Sequence, residues 1–153
     1  PLHGEIKLFG VGRGRVAQAP LAEELRNIFT AVQALGGRDA DRFLDHAKRF
    51  FLNYFKQIAH VFETAWHGRK YSIKTGMALR SFLRVVPDVI VAIKANRRDP
   101  ADAAAIREVL APWADAIGDA RFETEGEWRQ KLAGGTSSTV DQLARELRGA
   151  LRR

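Results

Sequence analysis

The sequence predicts an all-α protein: a single helical domain of about five helices around a long central helix rich in aromatic residues. Three observations support this prediction. Apolar residues recur with the 3.6-residue period of a helix in several segments. Glycine and proline residues mark the borders of most of these segments. The chain of 153 residues, 46% hydrophobic and 28% charged, has the size and composition of one globular domain.

The first 18 residues are predicted to form an arm. Weak apolar alternation in residues 5–11 indicates one short strand, followed by a glycine-rich loop. The helical core, residues 19–118, then begins around Pro20, because proline suits the first position of a helix. This first predicted helix keeps its apolar period from Leu21 to Leu35.

The second predicted helix runs from about Asp39 to Trp66 and is the central core element. Acidic residues at its start are favoured by the positive end of the helix dipole. Its apolar stripe is wide and contains half of the aromatic residues of the chain. We therefore expect other elements to cover this stripe from two sides.

The third predicted helix starts near Ser72. Pro87 must end or kink it, because proline lacks the backbone donor that a helix interior needs. Asp99 and Pro100 are a predicted N-cap and first position of a fourth helix, which reaches Gly118.

The remaining chain is predicted to be a polar connector and one more helix. The connector spans residues 119–135. The last segment, residues 136–153, contains a helix from Val140 to Leu151. Thr139 and Gln142 have the spacing of a capping box at its start.

The basic residues gather between residues 69 and 98. This segment contains eight basic side chains and one carboxylate, Asp88. Its net charge of +7 equals the formal net charge of the whole chain. On a helical wheel the cations of the third helix lie opposite its apolar residues, so we expect one continuous exposed surface. Such a surface fits the phosphate backbone of DNA, and the alternative is a solvated face that aids solubility. The predicted DNA-contacting residues are Arg69, Lys70, Lys74, Thr75, Arg80, Arg84, Arg97 and Arg98.

The segment "GVGRGR", residues 10–15, is predicted to be a flexible basic arm. Arg13 and Arg15 are candidate anion contacts, because glycines let the backbone approach an anion and arginines bind it. The segment matches neither the dinucleotide-binding nor the P-loop motif, so a plain turn is the alternative.

Several functional classes are not indicated. The chain has no cysteine, which excludes disulfides and thiolate metal sites. His60, Glu63 and His67 lie on one helical face but lack a fourth ligand, so we predict no metal or other cofactor. No nucleophile elbow is present, and the sequence does not favour an enzyme. The apolar runs fall short of the roughly 20 residues of a membrane span, and we expect a cytoplasmic protein with no membrane partner.

Two stretches, "FFLNYFKQIAHVFETAW" and "YSIKTGMALRSFLRVV", together with the ending "GGTSSTVDQLARELRGAL", carry a family resemblance. They resemble the C-terminal part of DGQHR-domain proteins, which include the DndB-like proteins of bacterial DNA phosphorothioation systems. The resemblance covers about the last two thirds of the chain. The Asp-Gly-Gln-His-Arg motif of the family is absent from the chain. The matching residues are Asn53, Tyr54, Phe55, Ile58, Phe62, Trp66, Lys74, Thr75, Gly76, Ala78, Leu79 and Leu83.

The resemblance implies a helical part of a bacterial DNA-modification or regulatory protein, with DNA as partner. We also expect a longer protein, since the chain begins with Pro1 rather than methionine. The alternative function is a protein-interaction or dimerisation module without nucleic-acid binding. Its partner would be the protein's own N-terminal domain or a second copy, and Trp66, Trp113 or Trp128 would then lie in an exposed apolar patch.

Overall fold

The computed structural model describes residues 2, 6–7, 16–33, 35, 40–125 and 137–151. The fold is all-α, which confirms the prediction, with one small β element in which β1 (Ile6–Lys7) pairs in parallel with β2 (Val16–Ala17). A 3₁₀ turn at Asp119–Phe122 precedes the last helix. The helices are α1 (Gln18–Asn27), α2 (Phe29–Gln33), α3 (Ala40–Val61), α4 (Glu63–His67), α5 (Gly76–Ala95), α6 (Ala103–Leu110), α7 (Pro112–Ala116) and α8 (Ser137–Leu151).

The first two predicted helices are each divided in the structure. Ile28, at φ −99° and ψ 3°, separates α1 from α2. Phe62, at φ −114° and ψ 54°, separates α3 from α4. The N–H of Ala65 donates to Oδ1 of Asp119 at 2.7 Å, so a distant side chain satisfies a backbone donor in the first turn of α4. The break places Ala65 and Trp66 in the core, where both are buried.

Helix α5 begins later than predicted. The N–H and the hydroxyl of Ser72 both donate to the carbonyl oxygen of Phe122, at 2.8 and 3.0 Å, so Ser72 belongs to a short antiparallel contact rather than to the helix. This contact continues in the bridge between Tyr71 and Glu123. Thr75 is consequently the N-cap of α5.

Pro87 does not end α5, which continues to Ala95. Proline removes one backbone donor from the helix and disturbs the carbonyls of the preceding turn. The carbonyl oxygen of Arg84 lies in this turn and accepts a hydrogen bond from Nη2 of Arg148 at 2.9 Å. The same arginine pairs with Asp88 at 2.8 Å. A side chain of α8 therefore supports α5 where the proline interrupts it.

The later helices differ from the predictions at their starts. The N-cap of α6 is Asp102 rather than Asp99, and its carboxylate accepts two backbone N–H groups of the first turn at 3.1 and 3.3 Å. Pro112 occupies the first position of α7, so the predicted fourth helix is divided there. Because α8 begins at Ser137, Thr139 lies inside the helix and the predicted capping box is wrong.

The core lies around α5. This helix packs against α1, α2, α6 and α8, while α3 packs against α6. Aromatic residues join α3 to α5. The hydroxyl of Tyr54 on α3 donates to the backbone carbonyl oxygen of Phe82 on α5 at 2.7 Å. Phe62 and Phe82 also meet Trp113 and Phe122, with ring centroids 5.1 to 6.4 Å apart. We call these last four residues the aromatic cluster.

Candidate functional site

Arg80 and Arg84, in the middle of the predicted DNA surface, bind a buried carboxylate. Glu24 of α1 has a side chain that is only 2% exposed. Its Oε1 accepts hydrogen bonds from Nε of Arg80 at 3.0 Å and from Nη2 of Arg84 at 2.7 Å. Its Oε2 accepts one from Nε of Arg84 at 2.9 Å. Both guanidinium groups are therefore engaged inside the protein, with side chains 20% and 21% exposed.

A second carboxylate, Asp141 of α8, pairs with Nη1 of Arg84. Burial alone would raise the pKa of the Glu24 carboxyl, but hydrogen bonds from Arg84 and Arg80 outweigh burial and lower this pKa from its ordinary value. The hydrogen bond to Glu24 raises the pKa of Arg84 in turn. Glu24, Arg80, Arg84 and Asp141, which we call the charge cluster, join α1, α5 and α8.

The arginines that follow α5 differ in their surroundings. Arg98 pairs with Asp102 at 2.8 Å and with Glu108 at 3.6 Å. The hydrogen bond to Asp102 is the main cause of a raised pKa for Arg98. Arg97 is exposed, and its backbone has a φ of 54°. None of the ion pairs among the described residues includes Arg97.

Arg69 and Lys70 are exposed before the start of α5. They line a cleft of about 470 Å³ together with Glu123 and Glu125. No ion pair within the described part of the chain uses either cation. The two carboxylates nevertheless share the cleft, and like charge repels a phosphate.

Of the other predicted contact residues, two are partly buried at or next to the start of α5, and two lie outside the described residues. The hydroxyl of Thr75 accepts the N–H of Ala78 at 3.5 Å as the N-cap of α5. Lys74 is half-buried. Arg13 and Arg15 lie outside the described residues.

The eight predicted residues do not form one continuous exposed surface. Arg69 and Arg98 flank the 20-residue helix α5, which is about 30 Å long at 1.5 Å per residue. The charge cluster lies between them, in the N-terminal half of α5. Arg69, Lys70 and Arg97 are the exposed members of the set that no described ion pair includes.

An apolar groove that the sequence did not reveal lies between α1 and α3, with α5 as its floor. Its volume is about 430 Å³. Leu21 and Leu25 belong to the α1 wall, and Phe51 and Phe55 to the α3 wall. The full lining is Leu2, Gln18, Leu21, Ala22, Leu25, Phe51, Phe55, Leu79 and Leu83.

Exposed leucines extend the apolar surface beyond the groove. Leu25 is 41% exposed, Leu44 62% and Leu52 44%. Leu44 precedes Phe51 by seven positions, about two helical turns, and Leu52 precedes Phe55 by three, about one turn. Each leucine therefore lies on the side of α3 that carries the groove lining. The sequence signal was the width of the apolar stripe on the second predicted helix. Among the described elements, α6 packs against one side of the α3 stripe, and the groove lies at the other side.

The tryptophans do not contribute to an exposed patch in the described residues. Trp66 is 3% exposed and Trp113 is fully buried. Nε1 of Trp113 donates to the carbonyl oxygen of Leu147 at 3.0 Å, so this side chain fastens α7 to α8. Trp128 lies outside the described residues. The interaction surface expected from tryptophans is therefore wrong for Trp66 and Trp113.

Within the described residues, no three His, Asp or Glu side chains come together as a metal site. None of the described helices is both long and apolar enough to cross a membrane. Comparison of the chain with family models, curated proteins and solved structures finds no match. The resemblance to DGQHR-domain proteins stays a prediction, and function must be argued from the geometry.

Proposed function

We propose that this chain is a protein-interaction module that binds the apolar face of a partner helix in the groove between α1 and α3. The observation that carries the proposal is the groove itself, because its two walls and its floor are almost entirely apolar. Apolar surface left open to water is costly, and burial returns about 25 cal/mol for each Å² covered.

The dimensions suit a helix. On α3 the apolar face extends from Leu44 to Phe55, which is about 17 Å, or three turns, at 1.5 Å per residue. Helix-in-groove binding uses apolar residues at positions i, i+3, i+4 and i+7 over a similar length. A small molecule within the groove would leave the exposed parts of Leu44 and Leu52 in water, whereas a helix about 10 Å wide would reach them.

A designed peptide tests this proposal. The probe is a fluorescent helix of about 18 residues with leucines at the i, i+3, i+4 and i+7 positions and glutamines elsewhere. We expect saturable binding to the wild-type protein by fluorescence anisotropy. Leu25→Asp and Leu52→Asp should each weaken binding at least about tenfold, equivalent to about 1.4 kcal/mol, because each puts a charge against the apolar face.

The matched control is Val91→Asp. Val91 is 67% exposed and lies beside Arg148 and Leu151, on the side of α5 that faces α8. The Val91→Asp variant should bind the peptide as tightly as wild type does. Equal losses in all three variants, or no saturable binding to wild type, would refute the groove as the docking surface.

DNA binding is the second candidate, and the exposed Arg69, Lys70 and Arg97 favour it. Because this set has only three cations, the expected salt dependence of DNA affinity is small. Each phosphate contact contributes about −0.9 to the slope of log affinity against log salt, so three contacts predict a slope of about −3.

Triple reversal to Glu at Arg69, Lys70 and Arg97 should remove this salt-dependent affinity for fluorescent duplex DNA. Arg145→Glu, an exposed charge reversal on α8, is the control and should have a smaller effect. If wild type does not bind duplex DNA at low salt, or if the triple variant binds as well as wild type, these residues are not a DNA surface.

A further inference from the structure

Two cations stand beside the apolar groove, one on each wall. Gln18, Ala22 and Arg26 follow one another on α1 at four-residue spacing, so Arg26 continues the face that lines the groove. On α3, Lys48 precedes Phe51 by three positions and therefore lies on the same face as the groove lining. Both cations are exposed, and the ion pairs of the described residues include neither.

The two cations lie at the same end of the groove. Phe29, just after α1, contacts Phe43 near the start of α3, with ring centroids 5.7 Å apart. The C-terminal end of α1 is therefore next to the N-terminal part of α3. Arg26 belongs to that end of α1 and Lys48 to the N-terminal half of α3.

No ion pair among the described residues neutralises this end. Glu23 precedes Arg26 by three positions and Asp45 precedes Lys48 by three, so each carboxylate lies near one cation, but those ion pairs include neither carboxylate. At 100° per residue, each carboxylate also lies farther around its helix from the groove lining than the cation beside it. The whole chain also carries +7, so a second copy would meet repulsion rather than attraction.

We infer that the groove takes an acidic amphipathic helix of another protein, with carboxylates at the end that lies between Arg26 and Lys48. The inference rests on the proposed function and adds the chemistry of the partner. Apolar side chains of that helix would lie against Leu25, Phe51 and Phe55. Its carboxylates would pair with the two cations and thereby set the direction in which the helix lies.

Three peptides with one apolar face test the inference. They carry two glutamates, two glutamines or two lysines at one end of the helix. We expect the glutamate peptide to bind about tenfold more tightly than the glutamine peptide at low salt, and the lysine peptide to bind most weakly. The double variant Arg26→Glu/Lys48→Glu should invert the order.

Arg145→Glu is the control for charge reversal, because Arg145 is exposed on α8, and no residue of α8 lines the groove. It should keep the wild-type order. If all three peptides bind equally and Leu25→Asp still abolishes binding, the inference fails and the proposed function stands. If no peptide binds, both fail. Sedimentation with phosphatidylserine vesicles that depends on Arg26 and Lys48, without a preference among the peptides, would also overturn the inference in favour of a lipid surface.

Discussion

Glu24→Gln is expected to lower the free energy of unfolding by about 3 kcal/mol. The substitution keeps the shape of the side chain but removes the charge that Arg80 and Arg84 share. Two guanidinium groups with side chains only 20% and 21% exposed then lose their common carboxylate, and Asp141 still reaches only Arg84. Urea unfolding monitored by circular dichroism measures the loss.

The effect should depend on pH in a defined direction. The pKa of Glu24 is lower in the folded protein than its ordinary value of 4.5. A lowered pKa means that the carboxylate stabilises the fold fully above about pH 4.5 and loses this contribution as pH falls through the folded pKa. Glutamine does not titrate. The stability difference between wild type and Glu24→Gln should therefore be constant near neutral pH and shrink in acid.

An exposed ion pair provides the comparison. Arg49 and Asp99 meet at 2.6 Å, but their side chains are 52% and 51% exposed. Arg49→Ala should cost less than about 1 kcal/mol, because water and salt screen such pairs. A Glu24→Gln loss as small as that of Arg49→Ala would mean that the charge cluster does not hold α1 to α5.

The sequence contained part of the information about the charge cluster. Leu21, Glu24 and Ile28 are spaced by three and four positions, so a carboxylate stands in the apolar stripe of the first predicted helix. A buried carboxylate requires a cation as partner. The spacing cannot say which cation, because Arg80 and Arg84 are 56 and 60 residues away in the chain. The wheel of the third helix consequently indicated an exposed basic face.

The all-α fold was predictable because the apolar period is strong in every long helix. The breaks at Phe62 and Pro112 were not fully predictable, for different reasons. Phe62 continues the apolar pattern, and what stabilises the turn after it is Asp119, far along the chain. Pro112 is a local signal, since proline suits a first helical position, yet the apolar period continues through it. The groove depended on how α1 and α3 lie on α5, which periodicity does not describe.

Phe82→Ala is expected to lower the free energy of unfolding by about 4 kcal/mol, the largest effect proposed for a single substitution. The ring of Phe82 is fully buried in the aromatic cluster. Its centroid lies 6.1 Å from Phe62, 5.9 Å from Trp113 and 6.1 Å from Phe122. Alanine would leave a cavity bounded by three rigid rings from α7, the 3₁₀ turn and the residue between α3 and α4, which limits how far the core can relax.

The melting temperature reports this loss, which should be about 8–16 °C for a domain of this size. Phe82→Leu fills most of the space and should cost clearly less, because the lost volume sets the penalty. Leu44→Ala removes a side chain that is 62% exposed and should change stability little. Equal costs for Phe82→Ala and Leu44→Ala would show that the aromatic cluster is not the packed centre of the fold. Near-ultraviolet circular dichroism should meanwhile fall in Phe82→Ala, because the signal depends on Trp113 being held against its neighbours.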